Sequence, residues 1–76
     1  MIELYVSYTC PFCMKVMRAA EEMGLREEKD YLIIDAAPGT PGRKKVVDTG
    51  GTSMVPFLID GEHWMYESDD IIDYLK

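Results

Sequence analysis

Apolar and polar residues alternate at the start of the chain and then change to a helical pattern. Residues 2–7 alternate and end in polar residues, which predicts a first strand. Residues 11–23 follow a period of about four, which predicts a helix with Pro11 in its first turn and Gly24 at its C-terminal cap. The expected apolar face of this helix consists of Phe12, Val16, Ala19, Ala20 and Met23.

A second strand and helix follow. Residues 31–34 are almost continuously apolar, which is typical of a buried parallel strand. Thr40 followed by Pro41 predicts the start of a second helix that runs to about Thr49. We expect Val46 and Val47 to be the contribution of this helix to the core.

The last third of the chain predicts a hairpin and a final helix. Strands are expected at residues 56–60 and 63–66, with the turn at Asp60-Gly61. Ser68 is expected to cap the last helix, because a serine side chain can accept a hydrogen bond from the first helical N–H groups. The expected core side of this helix consists of Ile71, Ile72 and Leu75.

The predicted order of elements is β-α-β-α-β-β-α. It indicates an α/β fold with one four-stranded mixed sheet flanked by three helices. A chain of 76 residues is long enough for one small domain, so we expect residues 1–76 to be a single domain.

Composition excludes several functions and locations. The net charge is −6, whereas a nucleic-acid-binding protein is normally positive. No apolar run approaches the ~20 residues of a membrane span, and the first residues have no signal-peptide pattern. The two cysteines belong to one motif and leave no disulfide framework, which favours a reducing compartment. We therefore expect a cytoplasmic monomer that binds neither nucleic acid nor membrane.

The sequence Cys10-Pro11-Phe12-Cys13 lies where the first strand gives way to the first helix. Unpaired N–H groups and the helix dipole favour an anion at a helix start, so the pKa of Cys10 should be lowered. The thiolate is the reactive form of cysteine, which makes Cys10 the candidate nucleophile. Cys13 is one turn further and can close a disulfide with it. This arrangement predicts dithiol–disulfide exchange without a bound cofactor or metal.

Three motifs in this order resemble the glutaredoxin family of the thioredoxin fold, over essentially the whole chain. They are Cys10-Pro11-Phe12-Cys13, Met54-Val55-Pro56 and Ser68-Asp69-Asp70. The resemblance implies an oxidoreductase that reduces protein disulfides and glutathione mixed disulfides. Cys10 would attack the disulfide, Cys13 would resolve the intermediate, and glutathione would be the reductant.

The resemblance also implies a glutathione site. Val55-Pro56 should be a cis peptide bond that exposes the N–H and C=O of Val55 to a peptide-like ligand. Ser68 and Asp69 match the positions that hold the γ-glutamyl end, with Asp69 paired to its ammonium. The implied glutathione-binding residues are Tyr8, Phe12, Val55, Pro56, Glu67, Ser68 and Asp69.

The chain departs from the glutaredoxin pattern at two places. Many glutaredoxins have Gly-Gly where this chain has Tyr66-Glu67, and Glu67-Ser68 instead resembles the pair in the N-terminal domain of glutathione transferases, which share the fold. Glutaredoxins also often have a lysine near the position of Ser7. Arg43, Lys44 or Lys45 could contact the glycyl carboxylate in its place.

Two alternatives remain open on the residues alone. A redoxin reduced by a flavin-dependent thioredoxin reductase would use the same two cysteines. A non-enzymatic module could hold zinc or an iron–sulfur cluster, although one Cys-x-x-Cys supplies only two of four ligands. His63 is expected to be an exposed turn residue, and Trp64 and Tyr66 to be sheet residues.

Overall fold

The computed structural model describes residues 1–76, and the strands and helices occur in the order expected from the sequence. Their bounds are β1 Ile2–Val6, α1 Pro11–Glu22, β2 Tyr31–Asp35, α2 Pro41–Gly50, β3 Phe57–Asp60, β4 His63–Met65 and α3 Ser68–Leu75. The strand order in the sheet is β2-β1-β3-β4. Strands β1 and β2 are parallel and the other pairs are antiparallel, so the predicted four-stranded mixed sheet with three helices is confirmed.

Alternation along the two central strands produces a core on each face of the sheet, because successive side chains of a strand point to opposite faces. On one face, Leu4, Val6 and Leu58 pack with residues of α1 and α3. On the other face, Tyr5 and Phe57 pack with Val46 of α2. The site described below lies where α1 and α3 meet the ends of the central strands.

Helix α1 buries a different set of residues from the one expected. Cys13, Val16 and Ala20 have no exposed surface, whereas Phe12 is 62% exposed. Residues three and four apart share a helix face, so Cys13 lies in line with the two buried positions. Phe12, about 100° further round the helix, points to solvent. The apolar pattern was therefore wrong in grouping Phe12 with the buried face, whereas this exposure agrees with its expected place between the cysteines at a ligand-binding site.

The predicted start of α2 is confirmed. The Thr40 side chain accepts a hydrogen bond from the Arg43 N–H at 3.2 Å, and Pro41 is in the first turn. Val46 is fully buried but Val47 is 38% exposed, so only one of the two valines contributes to the core.

Strand β2 and the hairpin also differ from the expectation. Strand β2 is parallel to β1 but lies at the edge of the sheet, so residues 32–34 are only half-buried. In the hairpin, Asp60 pairs with His63, which moves the turn from Asp60-Gly61 to Gly61-Glu62.

Helix α3 begins one residue earlier than predicted. Glu67 is its N-cap, and its carbonyl accepts a hydrogen bond from the Ile71 N–H at 3.0 Å. Ser68 is therefore the first helical residue and does not cap the helix through its side chain. Ile71 is buried, while Ile72 and Leu75 are partly buried against the same core. No helix of the protein is both long and apolar enough to cross a membrane.

Candidate dithiol and glutathione site

The two thiols have different surroundings although they are one turn apart. Cys10 is the N-cap of α1 and is partly exposed. Cys13 is fully buried, and its sulfur accepts a hydrogen bond from the Ser7 N–H at 3.5 Å. Both thiols are reduced. Only the Cys10 sulfur can be reached by a substrate without unfolding the helix.

These surroundings shift the two thiol pKa values in opposite directions. Burial raises the pKa of Cys10. Hydrogen bonds from the Cys13 N–H, the Cys13 thiol and the Phe12 N–H lower it, and so does the charge of Arg43. The net effect is a pKa of Cys10 below its ordinary value. Burial raises the pKa of Cys13 to about 11; the Ser7 hydrogen bond opposes this shift and the Cys10 thiol adds to it. The first proton is therefore lost from Cys10.

The Val55-Pro56 peptide bond is cis, as the resemblance implies. The Cys10 thiol donates to the Val55 carbonyl over 3.9 Å, so this backbone lies directly beside the candidate nucleophile. The Val55 N–H has no acceptor within the chain. A peptide-like ligand in contact with Cys10 would find this N–H free to bind it.

Arg43 and Tyr66 attach the segment before Val55 to the rest of the protein. Arg43 donates to the Ala36 carbonyl at 2.7 Å and to the Ser53 carbonyl at 3.2 Å. The Tyr66 hydroxyl donates to the Thr52 carbonyl at 2.6 Å and accepts from the Thr52 N–H at 3.1 Å. The guanidinium that lowers the pKa of Cys10 is thus fixed in place by backbone contacts.

A cleft of about 230 Å³ begins at Val55 and continues between α1 and α3. Its lining combines two exposed apolar side chains, Phe12 and Met54, with charged and hydroxyl side chains. Its lining residues are Phe12, Lys15, Met54, Val55, Pro56, Glu67, Ser68 and Asp69. The mixture of apolar and charged walls suits a short, charged peptide.

The polar end of the cleft is formed by the start of α3. Glu67 has φ 74° and ψ 118°, a backbone conformation that glycine tolerates much better than other residues. This conformation turns the chain from β4 into the helix. The Ser68 hydroxyl has no hydrogen-bond partner within the protein and lines the cleft. Asp69 and Asp70 follow in the first turn.

Asp69 is already paired in the free protein. Lys15 of α1 donates to its carboxylate at 2.6 Å, and the two residues are 54 positions apart in the chain. The side chains of Lys15 and Asp69 are 52% and 80% exposed, so water reaches both.

The structure brings six of the seven expected glutathione-binding residues together. Phe12, Val55, Pro56, Glu67, Ser68 and Asp69 line the cleft. Tyr8 is 60% exposed and is not part of its lining. Ser7 is buried and bonded to Cys13, so it does not face the cleft. His63 lies on the hairpin with its ring 6.4 Å from that of Tyr74.

Two contacts around the candidate site were not expected from the sequence. The Lys15–Asp69 pair joins two helices, and nothing in the spacing of the residues indicates it. The Tyr66 hydroxyl bonds could not be expected either, because they reach a loop 14 residues away. No group of three or more His, Cys, Asp or Glu side chains is arranged to hold a metal ion.

The fold and the thiol pair define the class of protein, a thioredoxin-like fold with a dithiol at the start of its first helix. A mutant of the thioredoxin-like protein BC3987 superposes with a TM-score of 0.76 at 16% identity, over 99% of this chain and 97% of that chain. This likeness concerns the fold alone.

A family model then identifies the chain more closely. Residues 4–76 match the model "Glutathione S-transferase, N-terminal domain", so the chain belongs to this family. A search of curated proteins returns no match.

Glutathione transferases are among the similar solved structures. TDR1 of Leishmania, a trimeric glutathione transferase, is 31% identical with a TM-score of 0.78 over 97% of this chain and 16% of that chain. Glutathione transferase Omega 3C of Trametes versicolor is 22% identical with a TM-score of 0.80 over 96% and 31%. The chain thus spans a third or less of the length of these transferases.

Proposed function

We propose that this domain is a glutaredoxin-type dithiol oxidoreductase that reduces glutathione mixed disulfides and protein disulfides. The Cys10 thiolate attacks one sulfur of the substrate disulfide, and the other sulfur leaves as a thiolate. Cys13 then loses its proton, attacks the Cys10 sulfur and releases the second substrate thiol. Two glutathione molecules reduce the resulting Cys10–Cys13 disulfide and leave as oxidised glutathione.

The observation that carries this proposal is the unequal acidity of the two thiols. A nucleophile for thiol exchange must be a thiolate near neutral pH and accessible, and Cys10 combines a lowered pKa with partial exposure. Cys13 is buried and protonated, which suits a residue that attacks only after Cys10 has reacted.

Glutathione as the partner is supported by the cleft and by the family. Val55 and the start of α3 line one cleft, and the Val55 carbonyl accepts a hydrogen bond from the Cys10 thiol. The family is that of glutathione S-transferase N-terminal domains. Exposed Phe12 and Met54 beside the cleft, with Tyr8 and Met14 nearby in the sequence, offer an apolar surface for protein substrates. We also infer that residues 1–76 act as one domain, since both cores share one sheet.

The family match also favours a second candidate, conjugation of glutathione to electrophiles. In that reaction the sulfur of glutathione is the nucleophile, so Cys10 would not be required. Cys10→Ser therefore separates the two functions: it abolishes thiol exchange and leaves conjugation unchanged.

The decisive experiment compares Cys10→Ser and Cys13→Ser in two assays. Cys10→Ser should abolish reduction of a glutathione mixed disulfide and of a protein disulfide, because both begin at Cys10. Cys13→Ser should keep the first activity, which needs one thiol, and lose dithiol reduction of the protein. Equal loss in both variants would refute the roles assigned to the thiols.

The reductant is tested in the same system. Reduction of the Cys10–Cys13 disulfide is followed with glutathione and its reductase, and separately with thioredoxin reductase. We expect turnover with glutathione. Turnover only with thioredoxin reductase would keep the dithiol chemistry and exclude glutathione as the reductant.

A further inference from the structure

We propose that Lys15 is a specificity-determining residue of the cleft, and that Lys15 and Asp69 together recognise the α-amino-acid end of a γ-glutamyl ligand. This inference rests on the proposed function and adds a residue to it. In the free protein Lys15 holds Asp69 at 2.6 Å. On binding, the ligand ammonium replaces Lys15 at Asp69, and Lys15 turns to the ligand α-carboxylate.

The charges around the cleft indicate that a cation would favour the binding of an anionic ligand there. Glu67, Asp69 and Asp70 are consecutive or nearly so at the start of α3, and none of them has another cation within ion-pair distance. A ligand carboxylate approaching these acids would be repelled, because like charges close together are unfavourable. Lys15 is the only lysine or arginine that lines this cleft. It is therefore the cationic side chain of this cleft that can offset the repulsion.

The exchange of partners is feasible because the ion pair is exposed. Exposed pairs contribute little to stability, since water solvates both charges when they separate. Lys15 also lines the neighbouring groove on α1, so its flexible side chain has open space on both sides of its present position. An ammonium and a carboxylate on one carbon atom present the opposite charges to Asp69 and Lys15. The pair is thus complementary to a zwitterion and not to a simple anion.

Binding measurements that need no catalysis test this inference. The ligands are S-methylglutathione and two analogues of it, one without the α-carboxylate (a 4-aminobutanoyl group) and one without the ammonium (a glutaryl group). Dissociation constants are measured by calorimetry for the wild type, Lys15→Met, Lys15→Arg and Asp69→Asn. Lys29→Met is the control, because Lys29 is exposed and forms no side-chain hydrogen bond or ion pair within the protein.

Lys15→Met should raise the dissociation constant of S-methylglutathione about ten-fold, the size expected for loss of one charged hydrogen bond. Lys15→Arg should restore most of the affinity. For the analogue without the carboxylate, Lys15→Met should cause no loss, because the group that Lys15 binds is absent. Asp69→Asn should weaken the binding of S-methylglutathione. It should not weaken the binding of the glutaryl analogue, which lacks the ammonium that Asp69 binds. Lys29→Met should behave as the wild type.

Equal weakening of all three ligands by Lys15→Met, or none, would overturn the inference, as would the absence of any binding. Turnover of a glutathione mixed disulfide by the wild type is measured alongside. Lys15-dependent binding without turnover would refute the proposed oxidoreductase and keep the inference. Turnover by the wild type, together with dissociation constants that Lys15→Met does not change, would keep the proposed oxidoreductase and refute the inference about Lys15.

Discussion

At the scale of single residues, the proposed chemistry depends on the different pKa values and exposure of the two cysteine thiols. Cys10 receives hydrogen bonds at the start of α1 and the charge of Arg43, while Cys13 is enclosed by the core. The Cys10 thiol contributes to the raised pKa of Cys13. Once Cys10 is in a mixed disulfide its negative charge is gone. In the proposed mechanism, part of the barrier to deprotonating Cys13 therefore disappears at the step in which Cys13 reacts.

Arg43→Met should raise the pKa of Cys10, because it removes a positive charge that favours the thiolate. The rate of iodoacetamide alkylation, measured against pH in a Cys13→Ser background, should then have its midpoint at higher pH. Arg43→Lys should shift it less, since the charge remains. Lys44→Met is the control, because Lys44 pairs with Asp48 on the exposed side of α2. An unchanged midpoint in Arg43→Met would show that the charge of Arg43 does not act on Cys10.

The sequence predicted the acidity of Cys10 from its position before a helix, but not all of its causes. A strand followed by Cys-Pro-Phe-Cys is enough to place the thiol at a helix start. The contribution of Arg43 depends on contacts to Ala36 and Ser53, which lie in two separate loops. Contacts between separate loops cannot be predicted from the spacing of residues along the chain.

At the scale of elements, the start of α3 is held by a strained residue. Glu67 has a positive φ, and non-glycine residues in such conformations cost of order 1–3 kcal/mol. Glutaredoxins, by the resemblance given above, often have glycine here. At Tyr66-Glu67 this chain therefore has other residue types than Gly-Gly, but Glu67 keeps a backbone conformation typical of glycine. The Tyr66 hydroxyl in addition donates a hydrogen bond to the Thr52 carbonyl in the loop before Val55.

Glu67→Gly should be more stable than Glu67→Ala by about 1 kcal/mol, because only alanine retains the clash of a Cβ at positive φ. The measurement is the free energy of unfolding from urea titrations. The matched pair at Glu21, an exposed position in α1, should show the opposite order, since glycine within a helix is about 0.5–1 kcal/mol worse than alanine. Alanine more stable than glycine at both positions would mean that Glu67 is not strained.

Gly42→Ala should lower the free energy of unfolding by about 1–3 kcal/mol, because a Cβ there would overlap the Asp35 carbonyl and push α2 away from the end of β2. Chemical denaturation measures the change. Lys45→Ala, an exposed neighbour on the same helix, should stay within about 0.5 kcal/mol of the wild type. A wild-type stability for Gly42→Ala would show that the helix does not pack this closely.

Most elements could be predicted because their ends carry local signals. Thr40 and Pro41 mark the start of α2, and the structure confirms both. The wrong predictions concern which face of α1 is buried and where β2 lies in the sheet. Phe12 and Cys13 are neighbours in an apolar helix pattern, and only the position of the sheet decides which one is buried. The edge position of β2 depends on strand pairing, which its apolar run does not reveal.

At the scale of the whole molecule, the dithiol and the candidate ligand cleft lie next to each other in one small fold. The family is that of glutathione S-transferase N-terminal domains, and the fold also covers 97% of a thioredoxin-like protein. The dithiol at α1 and the charged start of α3 come from opposite ends of the chain, and the sheet and the Val55-Pro56 segment bring them together. The sequence motifs predicted this meeting. The Lys15–Asp69 pair, which spans the same two helices, became visible only in three dimensions.

The most direct test of the central claim is to trap the first intermediate. Cys13→Ser is treated with oxidised glutathione, and the adduct is identified by intact mass and peptide mapping. The account predicts one glutathione per chain, bound to Cys10 and released by added glutathione, whereas the wild type should lose the adduct by forming the Cys10–Cys13 disulfide. Cys10→Ser should form no adduct at neutral pH, because Cys13 is fully buried and burial, the largest cause of its raised pKa, remains in this variant. An adduct on Cys13 in Cys10→Ser, or none on Cys10 in Cys13→Ser, would contradict the account.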